Sequence, residues 1–247
     1  MKILVCISQV PDTTAKISFL NENKEFNTTG VQFIMNPYDE WYSLVRALEL
    51  KETLAETTVT LIIVGKVDSE AIIRKGFAIG GDDAVRIDAE PTDSFFVAQE
   101  IANYARTEKY DLILTGKETI NYNGASVGAM LAELLDFPFI SLASQLDVAN
   151  NTATVEYDMD GGTKIAECPL PLVISTQKGM AEARIPNMRG IMAAKTKPLK
   201  VIAAGLSEKL TSVISYTLTP GRTTCKMIDA DKPEELIELL HSTAKVI

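Results

Sequence analysis

The chain reads as an α/β protein built on a doubly wound, mostly parallel sheet. Two observations predict this. Short apolar, β-branched runs alternate with helical patterns through the first half. One of them, Val59-Thr60-Leu61-Ile62-Ile63-Val64, is nearly unbroken, as a parallel strand buried on both faces requires. With 247 residues, 46% apolar and 23% charged, the chain can bury one large core, with or without an appendage.

Residues 2–7 open the chain as a strand, too short and poorly flanked to be a secretory signal. Trp41, Leu44, Val45 and Leu48 then recur at helical spacing behind an expected cap at Asn36 with Pro37. After the strand at 59–64, Asp68 or Ser69 starts a second helix carrying Ile72, Gly76 and Ile79. A strand at 84–87 precedes a third helix, which begins at Thr92 or Asp93 and carries Val97, Ile101 and Tyr104. A strand at 112–115 precedes a fourth, expected from about Asn123 to Leu135 with Val127, Met130, Leu131 and Leu134 inward.

The pattern changes after Pro138. Runs at 144–148 and 154–158 flank Asn150-Asn151, which reads as an antiparallel hairpin. Asp160-Gly161-Gly162 turns into a further run at 164–168, and Leu172-Val173-Ile174-Ser175 is another buried strand. Beyond Pro198 the chain has little core of its own until a last helix, started by Asp231, Pro233, Glu234 and Glu235. Such a tail is expected to lie against another surface.

The charge of -9, with no basic stripe among aromatics, argues against nucleic acid as a partner. No apolar run reaches the roughly 20 residues that span a bilayer, so no membrane insertion is expected. Cys6, Cys168 and Cys225 form no local pair, which suits a reducing compartment, the cytoplasm. His241 is the single histidine and falls in a last helical turn, where a cation suits the dipole. Metal and triad chemistry are therefore not expected, and no catalytic residue is assigned.

Ligands of open α/β sheets sit beyond the carboxyl ends of the strands. Three segments qualify: Asn36-Pro37-Tyr38-Asp39, Val64-Gly65-Lys66, and Gly116-Lys117-Glu118-Thr119-Ile120-Asn121-Tyr122-Asn123-Gly124-Ala125-Ser126-Val127-Gly128. In the last, small residues allow close backbone approach, and free amides with a helix dipole favour a phosphate. Neither a Walker loop nor G-x-G-x-x-G is present, and a capping loop without a ligand reads the same residues equally well. Residues 178–198 hold five Lys and Arg against one Glu, with three of the eight Met, so the run stands out on an acidic body. It suits a partner-docking surface, with a solvated loop and basic helix as the plainer reading.

Four motifs in this order carry a resemblance to the beta subunits of electron transfer flavoproteins. They are Asn36-Pro37-Tyr38-Asp39, the loop of residues 116–128, Asp160-Gly161-Gly162 with Pro169-x-Pro171, and Arg184 with Arg189-Gly190-Ile191-Met192 and Lys195-x-Lys197-Pro198. The resemblance covers roughly residues 1–205 well and the tail loosely. It implies a heterodimer whose alpha subunit carries a redox FAD, while this chain holds a structural AMP and does no redox chemistry itself. The AMP contacts carry over to Cys6, Asn36, Pro37, Tyr38, Asp39, Val64, Gly116, Lys117, Glu118, Thr119, Ile120, Asn121, Tyr122, Asn123, Gly124, Ala125, Ser126 and Val127.

The family's recognition loop for acyl-CoA and related dehydrogenases falls on residues 179–194. Met188 matches its apolar anchor, Ile185 neighbours it, and Arg184, Arg189, Ile191 and Met192 surround it. Electrons would pass through the FAD to a quinone-linked oxidoreductase. The implied division is an adenine-nucleotide-binding α/β domain over 1–197 and a C-terminal arm over 198–247 that embraces the alpha subunit. Asp158 matches a family acid near the subunit junction, though a hairpin-surface acid reads equally well. Three departures stand out: the family has Asp at the positions of Asn121 and Asn123, and Gln at that of Ser126. Some members bind a second FAD here and bifurcate electrons. They favour Gly where this chain has Tyr122, which tilts the expectation toward AMP.

Overall fold

The computed structural model describes residues 1–221 and 225–247; residues 222–224, within the expected arm, lie outside the described residues. In chain order the elements are β1 (Lys2–Cys6), β2 (Gln9–Pro11), β3 (Phe19–Leu20), β4 (Glu25–Phe26), β5 (Phe33–Met35), α1 (Asp39–Thr53), β6 (Thr58–Val64), α2 (Glu70–Ile79), β7 (Asp83–Asp88), α3 (Ser94–Thr107), β8 (Leu112–Gly116), α4 (Val127–Leu135), β9 (Phe139–Ala149), β10 (Thr152–Met159), β11 (Gly162–Pro169), β12 (Leu172–Thr176), α5 (Met188–Ala194), β13 (Lys200–Ala203) and α6 (Pro233–Leu239).

Two compact units emerge. The first comprises residues 1–16 and 27–214, and the second residues 17–26 and 215–247. In the first, nine strands form one sheet in the order β11-β10-β9-β12-β8-β1-β6-β7-β13. From β9 to β13 every neighbouring pair is parallel; only the β9-β10-β11 meander is antiparallel. The meander turns at Asn150 and Asn151, whose φ of 49° and 61° are the left-handed values a tight hairpin turn needs.

Strand alternation divides the core. Ile3, Val5, Leu61 and Ile63 face Leu44, Leu48, Ile72 and Phe77 of α1 and α2, with Ala194 of α5 in the same cluster. Leu4, Cys6, Ile62 and Val64 face Ile101, Ala102, Leu131 and Ala132 of α3 and α4. Each fully buried Leu or Ile contributes about 1.5–3 kcal/mol, so burial on both faces holds the central strands.

Two sequence expectations need correction. Asn36 does not cap α1; Tyr38 occupies that position with φ of 63° and no side-chain cap bond. The Asn36 side chain instead serves the loop after β8. Nor does α4 begin near Asn123. It starts at Val127, because Asn123 and Ala125 take φ of 49° and 47°, which no helix tolerates. The third helix starts as expected, Asp93 accepting from Phe96 N at 2.8 Å.

In the second unit the β3-β4 hairpin meets residue 216: Phe19 and Tyr216 stack at 4.8 Å, and Tyr216 N donates to Asn23 O at 2.7 Å. The last helix has Pro233 in its first turn and no buried residue.

Candidate functional site

The order of the central strands reverses between β1 and β8: from β1 the chain moves through β6 and β7, then returns to place β8 on the other side. Because α1 packs on one face and α4 on the other, a crevice opens at the carboxyl ends of these two strands.

Its floor is fixed by tertiary hydrogen bonds. Asn36 is fully buried; its Nδ2 donates to Glu118 O at 2.9 Å and its Oδ1 accepts from Ile120 N at 3.0 Å. One side chain thus ties the start of α1 to the loop after β8. Glu40 is also buried and accepts from Ser8 N at 2.6 Å and Ser8 Oγ at 2.7 Å. Burial outweighs these two donors and pushes the Glu40 carboxyl up to about 8. Thr176 Oγ1 donates to Asp39 O at 2.8 Å and shares a hydrogen bond of 2.6 Å with Ser43 Oγ, which also reaches Thr115 O at 3.1 Å. Gly116 sits where a Cβ would lie 2.7 Å from Glu40 Cγ and 3.3 Å from Glu40 N, so no larger residue lets the strand end and α1 approach this closely.

Above this floor lies a cavity of about 300 Å³ lined by Pro37, Tyr38, Asp39, Lys117, Glu118, Ile120, Asn123 and Lys178. Lys117 Nζ pairs with Glu118 at 2.9 Å, which raises the Lys117 pKa. Burial raises the Asp39 carboxyl, although Glu118 N donates to it at 3.4 Å. Among the lining residues, Asp39 offers a hydrogen-bond acceptor and Lys178 a cation.

Seven of the expected contact residues form the cavity wall. Asn36 and Gly116 lie beneath it as its supports. Thr119, Asn121, Tyr122, Gly124, Ala125, Ser126 and Val127 continue the loop into α4 outside that wall, with Tyr122 exposed. Cys6 and Val64 are buried at the ends of their strands, and burial pushes the Cys6 thiol up, away from reactivity. The sequence reading missed Ser8, Glu40, Ser43, Thr176 and Lys178. Ser8 and Thr176, polar residues at the ends of apolar strands, were the available signal.

The second candidate region is a platform beside α2. Asn187 caps α5, its Oδ1 accepting from Gly190 N at 2.8 Å. A Cβ on Gly190 would meet Ala78 O at 2.1 Å, so α5 lies directly on the end of α2. Arg74 Nη1 donates to Ala194 O at 2.8 Å and Lys197 O at 2.6 Å, and Lys197 Nζ donates to Gly81 O. Against this fixed back, Ile185 is 91% exposed, Met188 73% and Met192 59%, with Ile191 and Arg189 also outward. Arg184 is committed elsewhere, as a two-bond pair with Glu52 at 2.6 and 2.9 Å.

Among the described residues no helix is long and apolar enough to cross a membrane, and no His, Cys, Asp and Glu group could hold a metal ion. A doubly wound, mostly parallel sheet with a crevice at its reversal point defines the class as an open α/β fold, with its candidate ligand site at the strand ends. The family model of the electron transfer flavoprotein domain matches residues 24–207. Over its whole length the chain is 33% identical to the electron transfer flavoprotein subunit beta of Bacillus subtilis, covering 100% of that protein. It is 32% identical to the subunit of the same name from Syntrophomonas wolfei, covering 98%, and 30% identical to that of Homo sapiens, covering 99%. The chain belongs to the electron transfer flavoprotein family, among relatives named as beta subunits.

Proposed function

We propose that this chain is the beta subunit of a cytoplasmic heterodimeric electron carrier and holds a structural AMP in the crevice between β1 and β8. The carrying observation is the cavity itself, whose volume of about 300 Å³ sits at the lower end of the roughly 300–1,000 Å³ usual for ligand sites. That size suits a mononucleotide better than a dinucleotide such as FAD. The donor set also fits. Asp39 can accept from ribose hydroxyls or the adenine amine, and the amides before Val127 with the dipole of α4 can receive a phosphate. Asn36 and Gly116 keep the walls in register.

The FAD of the alpha subunit supplies the electron chemistry, and this chain's residues bind and orient. The platform over residues 179–194 docks acyl-CoA or related dehydrogenases, with Met188 as the apolar anchor beside Ile185, Ile191 and Met192, and Arg189 at the rim. Arg184 shapes this platform through Glu52. The FAD, once bound by the alpha subunit, would pass its electrons to a quinone-linked acceptor. Although β13 joins this chain's own sheet, the stretch of the expected arm beyond it packs on the alpha subunit, and exposed Leu206, Leu210, Ile214, Leu218, Met227 and Ile237 support that reading.

Co-expression with an alpha-type subunit tests the assignment. A yellow complex with one FAD and one AMP per pair is expected, and failure to associate contradicts it. Two FAD per pair would instead favour a bifurcating subunit.

A further inference from the structure

We infer that Arg74 of α2 is the positioning residue of the docking platform: it holds the last carbonyls of α5 and so sets the direction in which Met188 and Met192 are presented to a dehydrogenase. The inference rests on the docking reading of residues 179–194 above and adds a residue that none of the four motifs contains.

With seven residues, α5 is too short to hold itself, since isolated helices below about 12–15 residues are marginal in water. Its direction therefore depends on what its two ends are tied to. The first turn is closed locally, by Asn187 Oδ1 accepting from Gly190 N at 2.8 Å. At the other end the local bonds are long, Lys195 N to Met192 O and Thr196 N to Ala193 O, both at 3.3 Å. Ala194 O and Lys197 O turn instead to α2, where one nitrogen, Arg74 Nη1, donates to both, at 2.8 and 2.6 Å.

The same guanidinium lies 5.7 Å from the ring centre of Phe77, and Lys197 Nζ lies 5.4 Å from it. Phe77 is buried, so its ring is a fixed support for both cations. Among the described residues neither Arg74 nor Lys197 pairs with a carboxylate. The charge of Arg74 is thus directed at the carbonyl end of α5, where the helix dipole favours a cation. Ile72, Ile73 and Phe77 bury α2 against the sheet, so Arg74 carries the rigidity of the core to the platform. Without it the Asn187 cap and the exposed side chains stay, but the far end of α5 is free to pivot about its contact at Gly190.

The test follows reduction of the purified complex by an acyl-CoA dehydrogenase kept reduced with excess acyl-CoA, the complex being the varied substrate. Arg74→Ala is expected to raise KM about tenfold and to leave kcat within about twofold, because the electron path is unaltered once the partners have docked. Arg74→Lys, which keeps a cation able to reach a carbonyl, recovers part of the loss. FAD and nucleotide content stay at the wild-type level, and amide hydrogen exchange speeds up over residues 188–197 alone. An unchanged KM overturns the inference, as does a loss shared by kcat, FAD content and exchange throughout the chain, which marks general destabilisation. Met188→Ala is measured alongside. A normal KM in both Met188→Ala and Arg74→Ala removes the docking reading and this inference together, whereas a raised KM in Met188→Ala with a normal one in Arg74→Ala overturns this inference alone.

Discussion

Ser8 and Glu40 are locked together at the floor of the crevice: the amide and the hydroxyl of Ser8 donate to the two carboxylate oxygens of Glu40, at 2.6 and 2.7 Å. The pair joins the residues after β1 to the first turn of α1, directly under Gly116. It has consequences for pH. Glu40 is raised by burial from 4.5 to about 8, so the folded chain keeps a proton that the unfolded chain releases. Stability from this source is complete below about pH 4.5 and is lost as the pH rises through 8. Denaturant midpoints should therefore fall across that window, and Glu40→Gln, which cannot titrate, should flatten the decline. An unaltered profile in Glu40→Gln contradicts this account.

Asn36→Ala removes the acceptor for Ile120 N and the donor for Glu118 O. Both groups lose their partner in a part-buried setting, so the expected cost is about 2 kcal/mol or more. Urea unfolding measures it, together with loss of bound nucleotide from protein that remains folded. A change within a few tenths of a kcal/mol would show that the loop after β8 holds itself.

Gly116→Ala should be worse than an ordinary glycine change in a strand. Its Cβ would meet Glu40 Cγ at 2.7 Å and Asp39 Cβ at 3.2 Å, forcing α1 back from the sheet. A loss of about 1–3 kcal/mol is expected, with weaker AMP binding. Thermal unfolding with and without AMP separates the two effects, and a neutral variant with normal AMP affinity would refute the close approach.

Met188→Ala should leave stability and FAD content unchanged, because the side chain is 73% exposed. Dehydrogenase-coupled reduction should weaken. Glu52→Ala should weaken it too, although Glu52 lies in α1, since it frees Arg184 from its two-bond hold. Coupling kinetics check both variants, and normal rates in Met188→Ala would remove the platform from the docking account.

Much of the fold was legible because period and burial agree. The strands β1, β6, β8 and β12 are short apolar runs with both faces covered, and Asn150-Asn151 announced its hairpin. The excursion between β1 and α1 was not legible: β2 to β5 have two or three residues each, too few for any alternation to register. The site was half legible. Asn36 and Asp39 stood out as residues, but their roles depend on Glu118 and Ile120, more than seventy positions away. Glu40 carried no signal in the sequence, and its burial comes from the packing of Gly116 and Ser8 around it. Lys178 belonged in sequence to the basic docking segment. In the fold it lines the crevice, one residue before the left-handed turn at Gly179.

The most direct measurement of the central claim is the identity and amount of nucleotide released on denaturing the purified complex. If this chain grips an adenylate while redox chemistry stays with its partner, chromatography returns AMP and FAD in a one-to-one ratio. FAD with no AMP, or two FAD per complex, contradicts it.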